Sequence, residues 1–453
     1  MLGLASKSRK ADTHAARRDR LAQQLHAATG QVGLKKKNSN LFRDRNRASK
    51  PRLDVHDFNH VLQVDPQSGW AEAEGMTSYE TLVLATLACG TMPAVVPQLK
   101  TITLGGAVAG VGIEATSFRQ GLAHQGVLEM DILAGDGKVY LCTPQNEHRD
   151  LFFGFPNSYG TLGYALRVRT RTIPVKKFVR IGHSHYRDAS EYFRGLQEVC
   201  DSGADFVDGV VFGPDDFYLT TGTFVDDVPF VSDYTFEHIY YRSIRDRESD
   251  YLTTHDFLWR WDTDWFWCSK NFGVQNPLIR RLAGKAHLNS RTYTRVMRWN
   301  SRWKLTQRLG TLFGVHRESV IQDVDIPIER AAEFLDFFQS EIGILPIWIC
   351  PIRSPDTRTI YPLYPLSSST TYVNFGFWDV VESKKSQLPG HFNRLIERKV
   401  AELGGIKSLY SDSYYSREKF DGIYGGAAYR QLKSRYDPHG RLHDLYDKCI
   451  LRK

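Results

Sequence analysis

Up to about residue 180 the apolar positions fall in short runs broken by Gly and Pro: VLQV (61–64), WAEAEG (70–75), ETLVLATLAC (80–89), AVVPQL (94–99), LEMDILAG (128–135), KVYLCT (138–143) and YALRVRTRTIPV (164–175). Period-two alternation over so few residues predicts strands, with one or two helices between them. Ahead of this region, 8–28 reads as a short polar helix with Leu21 and Leu25 on one side and Gly30 as its stop. Further strand-like runs follow at 206–213 and 217–225. SVIQDVDIPI (319–328), PIWICPIR (346–353) and TYVNFGFWDV (371–380) then alternate with amphipathic helices predicted over 329–342 and 388–405. That order is the one a sheet covered on one face by helices leaves in a sequence. From Lys407 onward the texture is mixed, with a turn at Asp437-Pro438-His439-Gly440.

A chain of 453 residues is too long for one core and long enough for two. The expected fold class is α+β, with an N-terminal helical segment (1–30), a first domain (31–180), a second domain (181–406) and a tail (407–453) that returns to the first. Six cysteines lie scattered without CxxC spacing, which argues against a zinc site or a disulfide framework. The basic N-terminus has no apolar core and no run of eighteen apolar residues occurs, so the expectation is a cytoplasmic protein that does not span a bilayer.

The net charge of +8 is unevenly placed. No acidic residue lies between Asp264 and Glu318. That stretch holds Lys270, Arg280, Arg281, Lys285, Arg291, Arg295, Arg298, Arg302, Lys304, Arg308 and Arg317, interleaved with Trp299 and Trp303. Arg291, Arg295, Arg298 and Arg302 recur at helical spacing, which suits a helix lying on anionic lipid; a solvated helix neutralised by acids elsewhere is the plainer reading. No RRM, KH or zinc-finger pattern supports nucleic acid as a partner.

Candidate chemistry concentrates in 93–139, where eight glycines occur, among them Gly105, Gly106, Gly110, Gly112 and Gly121. Glycine at this density weakens strands unless the main chain adopts positive φ or something approaches it closely, and exposed main-chain N–H groups are what a diphosphate requires. Tight turns in a β domain would also explain it. No GxGxxG stands between a strand and a helix with an acid about twenty positions on, and no GK[ST] follows, so Rossmann and Walker sites are excluded. The residues alone reach a phosphate or dinucleotide cradle of another kind.

VVPQLKTITLGGAVAGVGIEATSFRQGL (95–122) resembles the core of PCMH-type FAD-binding domains of the vanillyl-alcohol-oxidase class, and LGGAVAGVGIEATSFRQGL is especially similar to the Δ24-sterol reductase branch. DLFFGFPNSYGTLGYALRVRTRTIPVKKFVRI (150–181), PIWICPIR and LYDKCI (445–450) continue the likeness. Still closer is the resemblance to flavin-dependent methylene-fatty-acyl reductases of 10-methyl branched lipids, carried by VPQLKTITLGGAV, LEMDILAG, FPNSYGTLGY, SDYTFEHIYYRS (232–243) and WRWDTDWFW (259–267). The resemblance implies a split FAD-binding domain with an α/β substrate (cap) domain, and a reductase saturating an isolated C=C bond in a lipid. Its implied substrate is the methylene branch of a phospholipid-bound acyl chain, made by a partner methyltransferase, with NADPH as donor. A Δ24-sterol-type reductase and an alcohol or aldonolactone oxidase are the alternatives.

Carried over by position, the resemblance places Ser39, Asn40, Leu41 and Phe42, with Thr103, Leu104, Gly105 and Gly106, against the FAD pyrophosphate; Gly110 and Gly112 belong to the same glycine strip. Thr116 and Ser117 would sit beside the flavin or its ribityl chain, and Gly160, Thr161, Leu162 and Gly163 on the adenine side. The first loop, KNSNLFR, lacks a flavin-linking histidine, so FAD is expected to be non-covalent and His124 structural. Reducing an isolated alkene takes a hydride and a proton. Tyr415, Glu318, Asp323, His316 and His439 are the candidate proton donors.

Overall fold

The computed structural model describes residues 13–36, 39, 42–43, 50–303, 316–383 and 387–453, with the main chain alone at 297–303 and 316. A parallel pair, β1 (Gly33–Lys35) and β2 (Arg52–Asp54), precedes the first sheet. That sheet is built from β3 (Val61–Asp65), β4 (Trp70–Glu74), β5 (Thr91–Pro93), β6 (Val127–Leu133), β7 (Val139–Cys142) and β8 (Tyr164–Pro174), in the order β3-β4-β8-β6-β7 with β5 also on β8. β8 shows why the alternating run 164–175 becomes a strand. Leu166, Val168 and Thr170 point into the core, while Arg167 on the other face meets Glu72 at 2.7 Å, Glu129 at 2.7 Å and Asp131 at 2.8 Å across two neighbours.

The second sheet contains β9 (Phe178–Tyr186), β10 (Phe206–Gly213), β11 (Asp216–Val225), β12 (Ser249–Thr253), β13 (His316–Pro327), β14 (Ile347–Ile352), β15 (Tyr372–Ser383) and β16 (Ile406–Lys407), ordered β12-β9-β11-β10-β14-β15-β13-β16. One face packs on the helices Ala189–Cys200, Ala331–Glu341 and His391–Glu402. Val207, Val211, Val320, Val324, Ile347, Ile349, Phe375 and Phe377 meet Phe334, Leu335, Phe338 and Ile396 there. Each fully buried apolar side chain of this kind contributes roughly 1.5–3 kcal/mol. By the two-residue period of a strand, the other face presents Asp208, Trp348, Cys350, Asn374, Trp378, Asp323 and Asp325 toward the first domain. The molecule is thus a two-domain α+β protein.

The tail holds more structure than its sequence texture suggests: helices Arg417–Ile423 and Gly426–Tyr436 follow β16. Lys433 Nζ donates to Thr161 O at 2.8 Å and Lys448 Nζ to Tyr159 O at 2.7 Å, pinning the tail to the first domain. Among the described residues no helix is long and apolar enough to cross a membrane.

The N-terminal helix His14–His26 is capped by Thr13 and buries Leu21 and Leu25 against Val32, Leu53, Leu133, Leu166 and Leu442. Its polar anchor is Glu74, fully buried at the end of β4, which accepts from His14 Nδ1 at 2.7 Å, His60 Nδ1 at 2.7 Å and the Arg17 guanidinium. Burial alone would raise this carboxyl, yet hydrogen bonds from His14, Arg17 and His60 hold it down at about 2. Its stabilising contribution is therefore present above its ordinary value of 4.5 and is lost as pH falls toward about 2. Glu74→Gln is expected to lower stability by about 3 kcal/mol near neutrality. In urea denaturation series the gap to the parent protein should close on acidification through that range; a gap independent of pH would contradict this role.

Candidate active site between the two sheets

The glycine-rich strip 103–121 runs from the helix Leu104–Ala109 into a main-chain segment that faces the second sheet. At its centre Val111 adopts φ 53°, a left-handed conformation costly for a β-branched residue, directly after Gly110 at φ −124°. The N–H groups of Gly110, Val111 and Ile113 meet no acceptor among the described residues. Asn157 (φ 62°), Tyr159 (φ 50°), Trp265 (φ 45°) and Phe266 (φ 59°) are strained in the same way and border the same place. Tyr159 N donates to Ala109 O, the Trp265 ring lies 5.6 Å from that of Phe42, and the Phe266 ring lies 4.4 Å from that of Trp378. Such residues cost of order 1–3 kcal/mol each and collect where a site must be held in shape.

Not every glycine of the strip serves a ligand. A Cβ at Gly105 would stand 2.9 Å from Gly75 O, and one at Gly112 would stand 3.0 Å from the Pro97 ring, so these positions let the protein's own elements approach. The N–H groups of Leu104 and Gly105 are taken by Thr77 O and Gly75 O. A Cβ at Gly106 would stand 2.7 Å from Thr103 Oγ1 at the start of the short helix. Among the described residues the Gly106 N–H, like those of Gly110, Val111 and Ile113, meets no acceptor, so bare main chain occurs at Gly106 of the expected pair and again at 110–113.

Opposite this segment stand Phe42 and Arg43. Phe42 N donates to Tyr410 O, and the Arg43 guanidinium, buried, lies 5.0 Å above the Tyr159 ring and donates through Nη1 to Leu409 O at 2.6 Å. Its Nε and Nη2 have no hydrogen-bond partner and it makes no ion pair among the described residues. A buried cation without a counter-charge is costly, and a bound anion removes that cost. Tyr159, whose hydroxyl donates to Gly110 O at 3.5 Å, connects Arg43 to the bare N–H groups. A diphosphate fits this donor set, with the orphaned Arg43 nitrogens on one side and Gly110 and Val111 on the other. Sequence reasoning passed over Arg43, although KNSNLFR does end on it.

Beyond Ile113 the strip is sewn to the second sheet. Val207 N donates to Ala115 O at 2.8 Å, Arg353 N to Ser117 O at 3.1 Å, and Cys350 Sγ to Glu114 O at 3.2 Å. Thr116 Oγ1 donates to Ala94 O at 2.8 Å and Ser117 Oγ accepts from Glu114 N at 3.1 Å, so both hydroxyls brace the strip. Glu114 is thereby carried into a buried charge cluster. Arg260 donates to Asp208 at 2.7 Å, Trp348 Nε1 reaches the same carboxylate at 3.3 Å, and Arg260 Nη1 lies 3.6 Å from Glu114. Asp208 already balances the one cation. Burial, opposed by Arg260 and by the nearby Gln98 side chain, then pushes the Glu114 carboxyl up to about 7, and neither of its oxygens meets a donor at hydrogen-bond geometry among the described residues. It is a buried acid that titrates near neutrality, beside the bare N–H strip. The signal in the sequence was a lone carboxylate inside GVGIEATSF, flanked by Ile and Ala.

The expected proton donors fall in separate places. Asp323 and Glu318 occupy opposite faces of β13. Glu318 is turned to the helical layer, where it accepts from Asn393 N at 2.9 Å and Nδ2 at 2.7 Å. Asp323 faces the first domain. Burial pushes its carboxyl up to about 7, and Gly376 across the ladder leaves room for it, since a Cβ there would stand 2.8 Å from Asp323 Oδ1. Asp325 beside it is raised to about 6 by burial, while accepting from Tyr364 and Asn374 at 2.7 Å each. Tyr415 is buried and its hydroxyl pushed well above the usual range, which makes it a poor acid. His439 sits exposed on its turn, and the His316 side chain lies outside the described residues, as do Asn40 and Leu41.

Of the other expected cofactor residues, Ser39 is partly buried and Thr161 is buried, with its hydroxyl on Ser158 O at 2.7 Å. Leu162 is core, and Gly160 (φ 76°) and Gly163 flank it, the latter tight against Leu133 O. His124 is buried edge-on to Tyr361 at 4.3 Å, and burial lowers its imidazole to about 3. It lines a small recess with Leu122, Ile352, Tyr361, Tyr364 and Tyr372.

Residues 35–143 match the family model of an FAD binding domain. Over 412 residues, 86% of this chain and 75% of the relative, the protein is 28% identical to a Delta(24)-sterol reductase of Rattus norvegicus. It is 27% identical over the same length to the Homo sapiens protein of that name. A shorter match, 147 residues or 31% of the chain at 29% identity, joins it to Cytokinin dehydrogenase 7 of Oryza sativa subsp. japonica. Fold, donor set and matched domain define a two-domain PCMH-type flavoprotein. The protein is an FAD-dependent oxidoreductase.

Arg43→Met is expected to weaken FAD binding by roughly thirtyfold or more, the effect of losing a charge-assisted contact worth about 2 kcal/mol. Purified protein would show a reduced flavin-to-protein absorbance ratio, partly restored by Arg43→Lys. Full flavin occupancy in the Met variant would remove Arg43 from the site.

Proposed function

We propose that the protein saturates an isolated carbon–carbon double bond in a lipid, with Glu114 as the proton donor. The observation that carries this reading is a buried carboxyl, pushed up toward neutrality by burial and with no hydrogen-bond partner among the described residues, on the strip that holds the bare N–H groups. FAD, when bound, supplies the hydride chemistry. An unactivated alkene offers no oxygen to polarise, so the protein's own task is to present a proton in a dry place. Arg260 faces Glu114 but is engaged more closely by Asp208, so its pull on the Glu114 carboxylate is offset by the Asp208 charge and by burial. Trp261, Trp348, Phe266 and Trp378 exclude water from the face beyond it, and their rings suit positive charge developing on a carbon chain.

The preferred substrate is the methylene branch of a phospholipid-bound acyl chain, which the sequence resemblance supports. A methyl-transferring enzyme would supply that substrate and NADPH would serve as reductant. The names of the relatives that match over most of the chain favour a Δ24-sterol instead. Incubation with NADPH and each lipid, followed by mass spectrometry for a gain of two hydrogens, separates the two. Rapid reoxidation by oxygen with peroxide release and no use of nicotinamide would replace both with an oxidase.

Because Glu114 acts as an acid, turnover should fall about tenfold per pH unit above about 7. Glu114→Gln is expected to lower kcat by about 10²–10³ and to abolish that alkaline limb. If Asp323→Asn abolishes the limb and Glu114→Gln leaves it in place, the proton comes from Asp323.

A further inference from the structure

Helix Pro277–Ala283 displays apolar side chains to solvent. Leu278 is 71% and Leu282 87% exposed, Ile279 is 44% exposed, and Val296 on the helix Ser290–Trp303 is 42% exposed. Leu278 and Leu282 stand one turn apart and share a face. Their exposure is not that of a loosely held segment. Asn276 caps the helix through the N–H groups of Leu278 and Ile279, and Arg280 points inward to Asp264 at 2.7 and 2.9 Å. The leucines are held outward by a rigid anchor.

The surroundings are basic, because the acids that neutralise this stretch come from other segments. Arg280 takes Asp264, Lys270 takes Asp379, Arg281 takes Glu237 at 3.3 Å, Arg291 takes Glu80 and Arg317 takes Glu382. For these five cations the neutralisation by acids elsewhere, one of the two readings of the stretch, is what the structure shows. Lys285, two residues beyond the helix, and the exposed Arg295 form no ion pair among the described residues.

We propose that Pro277–Ala283 is a docking wedge for an anionic phospholipid surface: Leu278, Ile279 and Leu282 enter the boundary between headgroups and acyl chains, and Lys285 and Arg295 rest on lipid phosphates. Four apolar side chains are far fewer than a stable protein interface of about 1,200–2,000 Å² recruits, whereas a short apolar ridge flanked by cations is what interfacial binding uses.

The test is flotation of the flavin-loaded full chain with vesicles of saturated lipids, either neutral or containing about 30% anionic lipid. Such lipids offer nothing to reduce, so the result is independent of the proposed reaction. The parent protein is expected to float with anionic vesicles and, weakly or not at all, with neutral ones. Leu278→Ser with Leu282→Ser should reduce binding roughly tenfold or more, and Lys285→Glu with Arg295→Glu should remove the preference for anionic lipid. Flavin absorbance reports that each variant is folded. Failure of the parent to bind, or undiminished binding by the leucine variant, would overturn the proposal. A parent dimer that the leucine variant turns into a monomer would assign the ridge to a second copy of the chain instead.

Discussion

The arrangement depends on a short seam of hydrogen bonds between the strip 114–117 and the strands β10 and β14. Val207, Cys350 and Arg353 bind the carbonyls of Ala115, Glu114 and Ser117 in turn. Unpaired main chain is expensive to bury, so a glycine-rich segment can lie between two sheets only if its carbonyls are satisfied there. Just before the seam, the N–H groups of Gly110, Val111 and Ile113 have no partner among the described residues. The same seam joins the two domains and polarises the main chain for an anion.

Charge follows from this geometry. Once the seam fixes Glu114 beside Arg260, two carboxylates compete for one guanidinium, and the one at 2.7 Å prevails over the one at 3.6 Å. Burial pushes the carboxyl of the loser up to about 7. Arg43 is the reverse case: a buried cation with no counter-charge among the described residues. The site thus holds two uncompensated groups of opposite kind, one suited to a diphosphate and one suited to giving up a proton.

Strand periodicity made the second sheet legible, since β13, β14 and β15 and the two helices among them fall within a few residues of their predicted spans. The same periodicity separates Glu318 from Asp323, whose odd spacing puts them on opposite faces. The tail helices were obscured because 407–453 mixes Tyr, Asp and Lys without a clear stripe, and their burial comes from docking onto 159–161. Glu114 and Arg43 were hidden for a different reason: each is a charged residue whose meaning depends on the partner it lacks, and a sequence does not display missing partners. The glycines misled in part, because packing against Gly75 and Pro97 demands small residues as firmly as a ligand does.

Arg43 and the carbonyl of Leu409 that orients it are 366 residues apart. A ribosome adding amino acids in order delivers the loop long before its brace, so the cation spends most of synthesis unsupported. An anion can meet this cation in its braced position only after the C-terminal segment has been made and has folded back onto the first domain.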